Sequence, residues 1–211
     1  MSIVPMSIAM PTVFVVDDDA SVRESLGALI ESAGWQPETF ASGQAFLSRP
    51  RTPAPSCLIL DLSLPDISGL DLQERIASDG AAMPVIFISG YGDVPLTVKA
   101  MKAGAMEFLT KPLGGERLLE SIRDAIDRSR AALSCRETMD SLRARYALLS
   151  RREREVMELV VAGLLNKQIG GELGISEITV KAHRGRMMDK MKAKSVADLV
   201  RMAAGLCGPS M

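Results

Sequence analysis

Short apolar runs and helix-like segments alternate along the first two thirds of the chain. Each apolar run is short and continuous, as expected for a strand buried on both faces, and each helix-like segment carries apolar residues at helical spacing. The strand-like runs are residues 13–16, 58–60, 85–88 and 106–109, with a weaker one at 36–40. The helix-like segments are residues 21–33, 43–48, 69–78, 94–103 and 115–128. This alternation predicts an α/β domain with a five-stranded, doubly wound parallel sheet and helices on both faces.

The last third of the chain shows only helical patterns. From Cys135 to Leu149 apolar residues recur at intervals of four and three, with Arg and Glu between them. This stripe predicts a long linker helix, whose apolar side suits either a short coiled-coil seam or packing on a neighbouring domain. No strand-like run follows Ser150, so a small all-α domain is expected there.

Capping signals predict where several helices begin. Ser21 and Glu24 have the spacing of a capping box at the start of the first helix, and so do Ser150 and Glu153 after the linker. Asn166 is predicted to cap the helix that follows.

Three helix patterns follow one another between residues 149 and 191. Gly163 ends the first, residues 174–176 turn the chain after the second, and Ser176 caps the third. Two short helices separated by a turn that contains glycine predict a helix-turn-helix. The expected division is an N-terminal extension at 1–11, an α/β domain at 12–128, a linker helix at 129–148 and a helix-turn-helix domain at 149–211.

The third of these helices is predicted to have one apolar face and one cationic face. The apolar residues are Ile178, Val180, Met187 and Met191. The other face is largely cationic and carries Lys181, His183, Arg184, Arg186 and Lys190. Such a helix suits either the solvated side of a small bundle or an approach to nucleic-acid phosphates.

Composition and charge narrow the class of protein. The 211 residues are 47% apolar and 24% charged, which is ordinary for a globular protein, and no apolar run reaches the length of a membrane span. Residues 1–149 hold 14 Lys and Arg against 19 Asp and Glu, a net charge of −5, whereas residues 150–211 hold 11 against 7, a net charge of +4. An acidic body with a basic tail domain points to nucleic acid as the partner of the C-terminal end. No membrane partner is expected.

The N-terminal residues and the cysteines bear on location. Residues 1–22 contain no Lys or Arg, so their apolar start lacks the basic region of a signal peptide, and a cytoplasmic location is expected. Cys57, Cys135 and Cys207 are odd in number and widely spaced, and the whole chain has one His. Such a set fits neither a disulfide framework nor a zinc site, so free thiols are expected.

Polar side chains follow four of the predicted strands. They are Asp17, Asp18 and Asp19 after the first strand, Asp61 after the third, Ser89 after the fourth and Lys111 after the fifth. The carboxyl ends of parallel strands meet at one edge of a sheet, so the carboxylates are expected to lie together and to need a cation, and Mg²⁺ is the expected ion. Mg²⁺, a lysine and a hydroxyl around one carboxylate are the groups suited to the transfer of a phosphoryl group to that carboxylate.

Residues 12 to about 130 resemble the receiver domain of two-component response regulators. The resemblance is carried by the stretches VVDDD, LILDLSLPDISG, FISGYGD and EFLTKP. It implies a flavodoxin-like fold with Asp61 as the phosphoacceptor. It also implies a Mg²⁺ site formed by Asp18, Asp61 and the backbone carbonyl of Ser63, with Asp17 acting through water, whereas Asp19 is expected to be a solvated loop acid.

The same resemblance implies a set of residues that respond to the phosphoryl group. Ser89 would contact the phosphoryl oxygens and Lys111 would pair with them. Phe108 would be the aromatic residue whose rotamer reports the state of the domain. The helix at 94–103 and the strand at 106–109 form the candidate dimer surface.

Residues 149–203 look like a LuxR-type helix-turn-helix domain, and the two regions together resemble the FixJ/NarL class of transcription regulators. The resemblance implies that residues 177–190 form the recognition helix in the major groove of double-stranded DNA. The residues nearest the DNA would be Thr179, Lys181, His183, Arg184 and Arg186.

The resemblance implies a phosphorylation-activated transcription regulator and not an enzyme. A sensor histidine kinase would phosphorylate Asp61, and the resulting homodimer would bind DNA, with RNA polymerase as a further expected partner. The residues alone leave open a module that binds RNA or a protein, and a phosphotransfer enzyme. A phosphatase of the haloacid dehalogenase type needs a second carboxylate two residues after the phosphoacceptor, where this chain has Ser63.

Overall fold

The computed structural model describes residues 10–50, 54–78, 83–90 and 94–206. Within these ranges no helix is long and apolar enough to cross a membrane. The chain divides into two compact units after Leu133. Cys57 is buried and Cys135 exposed, and both are free thiols as expected, whereas Cys207 and residues 1–9 of the expected N-terminal extension lie outside the described residues.

The first unit alternates strands and helices. Its strands are β1 (Thr12–Val16), β2 (Gln36–Phe40), β3 (Ser56–Asp61), β4 (Val85–Ser89) and β5 (Glu107–Thr110). Its helices are α1 (Ala20–Ser32), α2 (Gly43–Leu47), α3 (Gly69–Ser78), α4 (Val94–Lys102) and the first part of α5 (Gly115–Ala147). The helix predicted over 115–128 and the linker helix predicted from residue 129 are therefore one continuous helix.

All five strands are parallel and lie in the order β2-β1-β3-β4-β5, the flavodoxin-like arrangement that was expected. β1, β3 and β4 are buried along their whole length, because helices cover both faces of the sheet. Successive side chains of a strand enter different cores: Val15 and Ile59 belong to one cluster, Phe14 and Leu58 to the other. The edge strand β2 is only partly buried, which explains its weak apolar pattern.

The parallel register brings the ends of β1 and β3 side by side. Val16 pairs with Leu60, so the next residues, Asp17 and Asp61, lie at neighbouring positions on the edge of the sheet. Ser89 ends β4, the strand beside β3. The order of the strands reverses between β1 and β3, and such a switch point is where open α/β sheets bind ligands.

The start of α1 differs from the prediction. Asp19 is the N-cap, and its carboxylate accepts hydrogen bonds from the N–H of Ser21 at 2.8 Å and from the Ser21 hydroxyl at 2.7 Å. Asp19 has the extended backbone that a cap requires, whereas Ser21 already lies within the helix. The predicted capping box of Ser21 and Glu24 is therefore wrong.

The second unit is all-α, as predicted. It contains the end of α5 and the helices α6 (Arg151–Val161), α7 (Asn166–Leu173), α8 (Glu177–Met191) and α9 (Val196–Leu206). Residues 174–176 join α7 to α8, and Gly174 adopts the left-handed conformation there, at φ 66°. Leu142 and Leu149 of the apolar stripe are buried in the core of this unit, which supports packing within the unit over a coiled-coil seam.

Two predicted helix starts have different outcomes. Ser150 and Glu153 form the expected capping box of α6, with hydrogen bonds of 3.3 and 2.8 Å. Asn166 does not cap α7, because the helix already begins at Asn166 and the N-cap residue is Leu165. The N–H of Leu165 donates to Oε1 of Gln168 at 2.8 Å, and the side-chain oxygen of Asn166 accepts a hydrogen bond from Arg184 of α8 at 2.9 Å.

Candidate functional site

Three carboxylates lie together at the switch point of the sheet. Asp17, Asp18 and Asp61 each place an oxygen within 4.8 Å of the others. Asp17 is fully buried and Asp61 is 7% exposed, whereas Asp18 is open to solvent. The structure thus brings together the carboxylates that the sequence places after β1 and β3.

Lys111 joins the two buried carboxylates. Its ammonium donates to Oδ2 of Asp17 at 2.7 Å and to Oδ2 of Asp61 at 3.0 Å. The other oxygens of these carboxylates accept from the backbone: Oδ1 of Asp17 from the N–H of Asp19 at 2.9 Å, and Oδ1 of Asp61 from the N–H of Ser63 at 3.3 Å. Because these side chains are far apart in the chain, the sheet topology is what assembles the site.

Opposing effects act on the pKa of Lys111. Burial lowers this pKa, because a charged ammonium is poorly solvated there, whereas the hydrogen bonds and charges of Asp17 and Asp61 raise it. The raising effects prevail, and the pKa of Lys111 lies above its ordinary value of 10.5. Lys111 is therefore a cation at neutral pH, placed against the oxygens of Asp61.

Asp19 takes no part in the carboxylate cluster. The hydroxyl and then the N–H of Ser21 hold the pKa of the Asp19 carboxyl below its ordinary value of 3.8. One nitrogen of the Arg23 guanidinium donates to the backbone carbonyls of Asp17 at 2.8 Å and Asp18 at 2.9 Å. Arg23 therefore fixes the loop that carries both carboxylates.

The other predicted residues lie on the strands beside the carboxylates. Ser89 is 3% exposed, and its carbonyl accepts from the N–H of Lys111 at 2.7 Å. Phe108 is half-buried on β5, with its ring centroid 6.4 Å from that of Phe87. Ser63 is exposed in the loop after β3.

Gly69 lets the loop after β3 return close to Asp61. A Cβ added at Gly69 would lie 2.6 Å from the carbonyl oxygen of Asp61 and 3.1 Å from the ring of Phe87. No larger residue fits that space without moving the backbone. Gly69 therefore belongs to the structure that positions Asp61, although its side chain has no chemistry.

The predicted DNA-binding residues of α8 differ in their surroundings. Lys181 and Arg186 are exposed, and Lys181 pairs with Glu177 at 3.2 Å on the surface. Arg184 is half-buried and donates to the side-chain oxygen of Asn166, the first residue of α7, at 2.9 Å. Arg184 thus connects the two helices of the helix-turn-helix.

Thr179 and His183 are also half-buried. The hydroxyl of Thr179 lies 2.8 Å from that of Ser176, the N-cap of α8. The Nδ1 atom of His183 is buried and has no hydrogen-bond partner among the described residues. The exposed cations Lys181 and Arg186 are therefore more accessible to a partner than these two residues.

The apolar face of α8 is narrower than predicted. Val180, Met187 and Met191 are buried in the core of the second unit. Ile178 is 80% exposed, so its predicted place on the apolar face is wrong. A helix turns by about 100° per residue, and residues two positions apart therefore lie on nearly opposite sides.

Comparison with known families assigns both units. Residues 13–123 match the family described as response regulator receiver domain, and residues 147–203 match the family described as bacterial regulatory proteins, luxR family. The chain belongs to the response regulators. Its carboxylate cluster is the acidic pocket of a receiver domain, and its helix-turn-helix is a LuxR-type DNA-binding domain. Proteins with this pair of domains are transcription regulators and do not form a class of enzymes.

Several relatives match nearly the whole of this response regulator. Nodulation protein W of Bradyrhizobium diazoefficiens is 46% identical over 194 residues, which cover 92% of this chain and 86% of the relative. Response regulator protein TodT of Pseudomonas putida is 44% identical, with 95% and 88% covered. Transcriptional regulatory protein FixJ of Rhizobium meliloti is 43% identical, with 94% and 98% covered.

Solved structures support the same assignment. The response regulator StyR is 46% identical, with a TM-score of 0.86, and the match covers 93% of this chain and 99% of that one. Full-length FixJ from B. japonicum is 39% identical, with a TM-score of 0.54 and coverages of 92% and 96%.

The residues that the sequence motifs miss in this response regulator are mostly those that connect elements. Nothing local to Arg23 marks it as a support for the acidic loop, and nothing local pairs Arg184 with Asn166. The exposure of Ile178 could have been predicted, because a residue two positions from Val180 lies on nearly the opposite side of a helix.

Proposed function

We propose that this response regulator accepts a phosphoryl group on Asp61 from a sensor histidine kinase, forms a homodimer and then binds double-stranded DNA to regulate transcription. The observation that carries the proposal is the contact of one ammonium, that of Lys111, with Asp17 and Asp61 at the switch point of the sheet. A carboxylate with a fixed cation beside it is suited to carry a phosphoryl group, whose added charge needs positioned cations.

The donor set of the acidic pocket fits Mg²⁺. It consists of oxygens, which hard divalent cations prefer, and the three carboxylates around one point favour a cation there. We propose that Asp18, Asp61 and the carbonyl of Ser63 hold the ion and that Asp17 contributes through water. Bound there, Mg²⁺ would neutralise charge on the phosphoryl oxygens.

The phosphoryl group is proposed to act as a switch through Ser89, Lys111 and Phe108. Phosphorylation adds a charge of about −1.5 to −2 at neutral pH. Lys111 pairs with carboxylates before phosphorylation, so a new anion on Asp61 competes for its ammonium. A state in which Lys111 and Ser89 contact the phosphoryl oxygens would be favoured only after phosphorylation, and this difference in binding would shift the population of the domain.

The proposed dimer surface lies on α4 and β5. Val98 and Met101 of α4 are 46% and 45% exposed, and Lys102 is also exposed. Burial of these side chains in a homodimer would remove apolar surface from water. Phe108 on β5 would connect this surface to the phosphorylation site.

The residues proposed to lie nearest the DNA are Thr179, Lys181, His183, Arg184 and Arg186. Of these, Lys181 and Arg186 are proposed to contact phosphates or bases. The exposure of Lys181 and Arg186 supports this role.

Sensor kinases transfer phosphoryl groups in the cytoplasm, where bacterial DNA and RNA polymerase also lie. We therefore propose a cytoplasmic location, with RNA polymerase as a further partner. The proposed domains are a receiver at 12–128, a linker at 129–148 and a DNA-binding domain at 149–211.

The test is phosphorylation by acetyl phosphate in the presence of Mg²⁺. Intact-mass measurement should show one added phosphoryl group on the wild type and none on Asp61→Asn. Asp71→Asn, which changes an exposed carboxylate on α3, is the matched control and should be labelled like the wild type. Undiminished labelling of Asp61→Asn would refute the assignment.

DNA binding and oligomeric state are measured on the same samples. Phosphorylated wild type should form dimers and bind a two-half-site DNA more tightly than the untreated protein, because joining two modules raises the effective concentration of the second. If phosphorylation changes neither property, the proposed switch is wrong even where Asp61 is labelled.

A further inference from the structure

A large apolar side chain is exposed in the first turn of the recognition helix. Ile178 is the second residue of α8 and is 80% exposed. A helix turns by about 100° per residue, so Ile178 lies about 200° from the buried Val180 and points away from the core of its unit. Among the described residues it contributes to no core cluster. Packing within the unit therefore does not explain an isoleucine at this position.

The residues that share this face leave room for a partner. Lys181, Ala182 and Gly185 follow Ile178 at the spacing of one side of a helix, and all three are exposed. A Cβ added at Gly185 would meet nothing within 4 Å. Short side chains at 182 and 185 let the helix approach a surface closely, and Ile178 then projects beyond them.

The charges around this face favour DNA as the partner. Lys181 and Arg186 lie on either side of Ile178 around the helix and are exposed, in a C-terminal segment of net charge +4. Glu177, the acid nearest to Ile178, pairs with Lys181 at 3.2 Å. Asp189 is on the same face but lies about 17 Å further along the helix axis. The N-terminal half of the face is therefore the part suited to a polyanion, and it is the N-terminal residues of such a helix that contact base edges.

We propose that Ile178 is a specificity-determining residue that reads thymine through contact with the C5 methyl group in the major groove. The thymine methyl is the apolar group that distinguishes one base from the others in that groove, and an exposed aliphatic side chain is its natural complement. The inference rests on the DNA-binding function proposed above and adds the base that one residue selects. Burial of one methyl-sized group corresponds to about a fourfold change in Kd.

The test is a double-mutant cycle that combines truncation of the Ile178 side chain with removal of the thymine methyl group. Full-length protein treated with acetyl phosphate and Mg²⁺ first selects its site from a random pool of duplex DNA. Each thymine of the selected site is then replaced by deoxyuridine, which removes only the methyl group, and Kd is measured for wild type, Ile178→Ala and Leu148→Ala. Leu148 is the control because it is a 66% exposed apolar residue of the same unit outside α8.

For wild type and Leu148→Ala, at least one deoxyuridine in each half-site should weaken binding by about fourfold. Ile178→Ala should bind the thymine site more weakly than wild type and lose nothing further when that thymine is replaced. Because Ile178 is exposed, Ile178→Ala should unfold at the wild-type temperature, and Ile178→Val should retain part of the methyl dependence.

Two results would overturn the inference while leaving DNA binding intact. One is an equal loss on deoxyuridine replacement for wild type and Ile178→Ala, and the other is a selected site with no methyl-sensitive thymine. A wild-type protein that enriches no sequence from the pool would overturn the proposed DNA-binding function, and this inference with it.

Discussion

The ion pair between Glu153 and Lys190 connects α6 to α8, the proposed recognition helix, so we expect its removal to destabilise the second unit. Oε2 of Glu153 accepts from Nζ of Lys190 at 2.6 Å and from the N–H of Ser150 at 2.8 Å. The side chain of Glu153 is 3% exposed and that of Lys190 is 38% exposed. One end of the pair is therefore screened from water and the other is not.

The exposure of the two partners sets the size of the effect. Glu153→Gln keeps the shape of the side chain and an oxygen for Ser150, but it replaces the charged partner of Lys190. A hydrogen bond to a charged group contributes about 1.5–3 kcal/mol, and exposure of Lys190 reduces this, so we expect a loss of about 1–2 kcal/mol. Lys190→Met should cost a similar amount, and the double variant should lose less than the sum of the two.

The dependence on pH distinguishes this ion pair from simple packing. The hydrogen bond from Lys190 is the main cause that holds the pKa of the Glu153 carboxyl below its ordinary value of 4.5. A carboxyl whose pKa is lowered by folding stabilises the folded state above its unfolded pKa. This contribution is lost as the pH falls below 4.5 and through the lower folded value. The difference between wild type and Glu153→Gln should therefore be full at neutral pH and shrink in that acidic range.

The assay is native-state hydrogen exchange of the full chain, read on peptides from α6 and α8. Glu155→Gln is the matched control, because Glu155 lies on the same helix but pairs with Arg151 and Arg152 at the surface. Its exchange should stay close to that of the wild type. Equal protection of α6 in wild type and Glu153→Gln at neutral pH, or a difference that does not shrink in acid, would refute the reasoning.

Three further predictions concern residues that support the two sites. Asp18→Asn should weaken Mg²⁺ binding by at least about tenfold on titration, because it removes a charge next to a divalent ion. Asp19→Asn should leave the affinity nearly unchanged and affect only the cap of α1. Equal losses of Mg²⁺ affinity would mean that the roles of the two residues are misassigned. Gly69→Ala should lower the stability of the receiver by about 1–3 kcal/mol in thermal unfolding, since its Cβ would push on the Asp61 carbonyl. It should also slow the labelling of Asp61 by acetyl phosphate, and an unchanged labelling rate would contradict this. Asn166→Ala should weaken DNA binding without changing its salt dependence, because the residue positions α8 and carries no charge; a reduced salt slope would indicate a direct phosphate contact.

Much of the fold could be predicted because each strand is marked by its own residues. β1, β3 and β4 are buried on both faces, and a buried parallel strand needs a continuous apolar run that is visible in the sequence. Asp17 and Asp61 follow such runs directly, so their meeting at one edge follows from the parallel arrangement alone. The acidic pocket was therefore predictable before its geometry was known.

The errors have two different physical causes. Asp19 and Ser21 are both good N-caps, and the local pattern does not decide between them; the choice depends on where β1 ends and how the loop after it turns. The bond of Arg184 to Asn166 was missed because it depends on how α7 packs against α8, which no local pattern contains. The place of Arg184 near DNA, which the resemblance to the LuxR-type domain implies, stays a prediction. Ile178, in contrast, could have been placed correctly from its helical angle.

The charged residues of the two units are held differently, and this difference fits their proposed roles. Lys111 already has two carboxylate partners, so the proposed phosphorylation of Asp61 would have to redistribute these contacts. Arg186 is exposed on α8, and Lys181 there has only a surface pair with Glu177, which contributes little in water. The proposed DNA contacts would therefore recruit these two cations at small cost, whereas the proposed switch in the receiver would exchange one set of strong contacts for another. Such an exchange between alternatives is what a switch with two populated states requires.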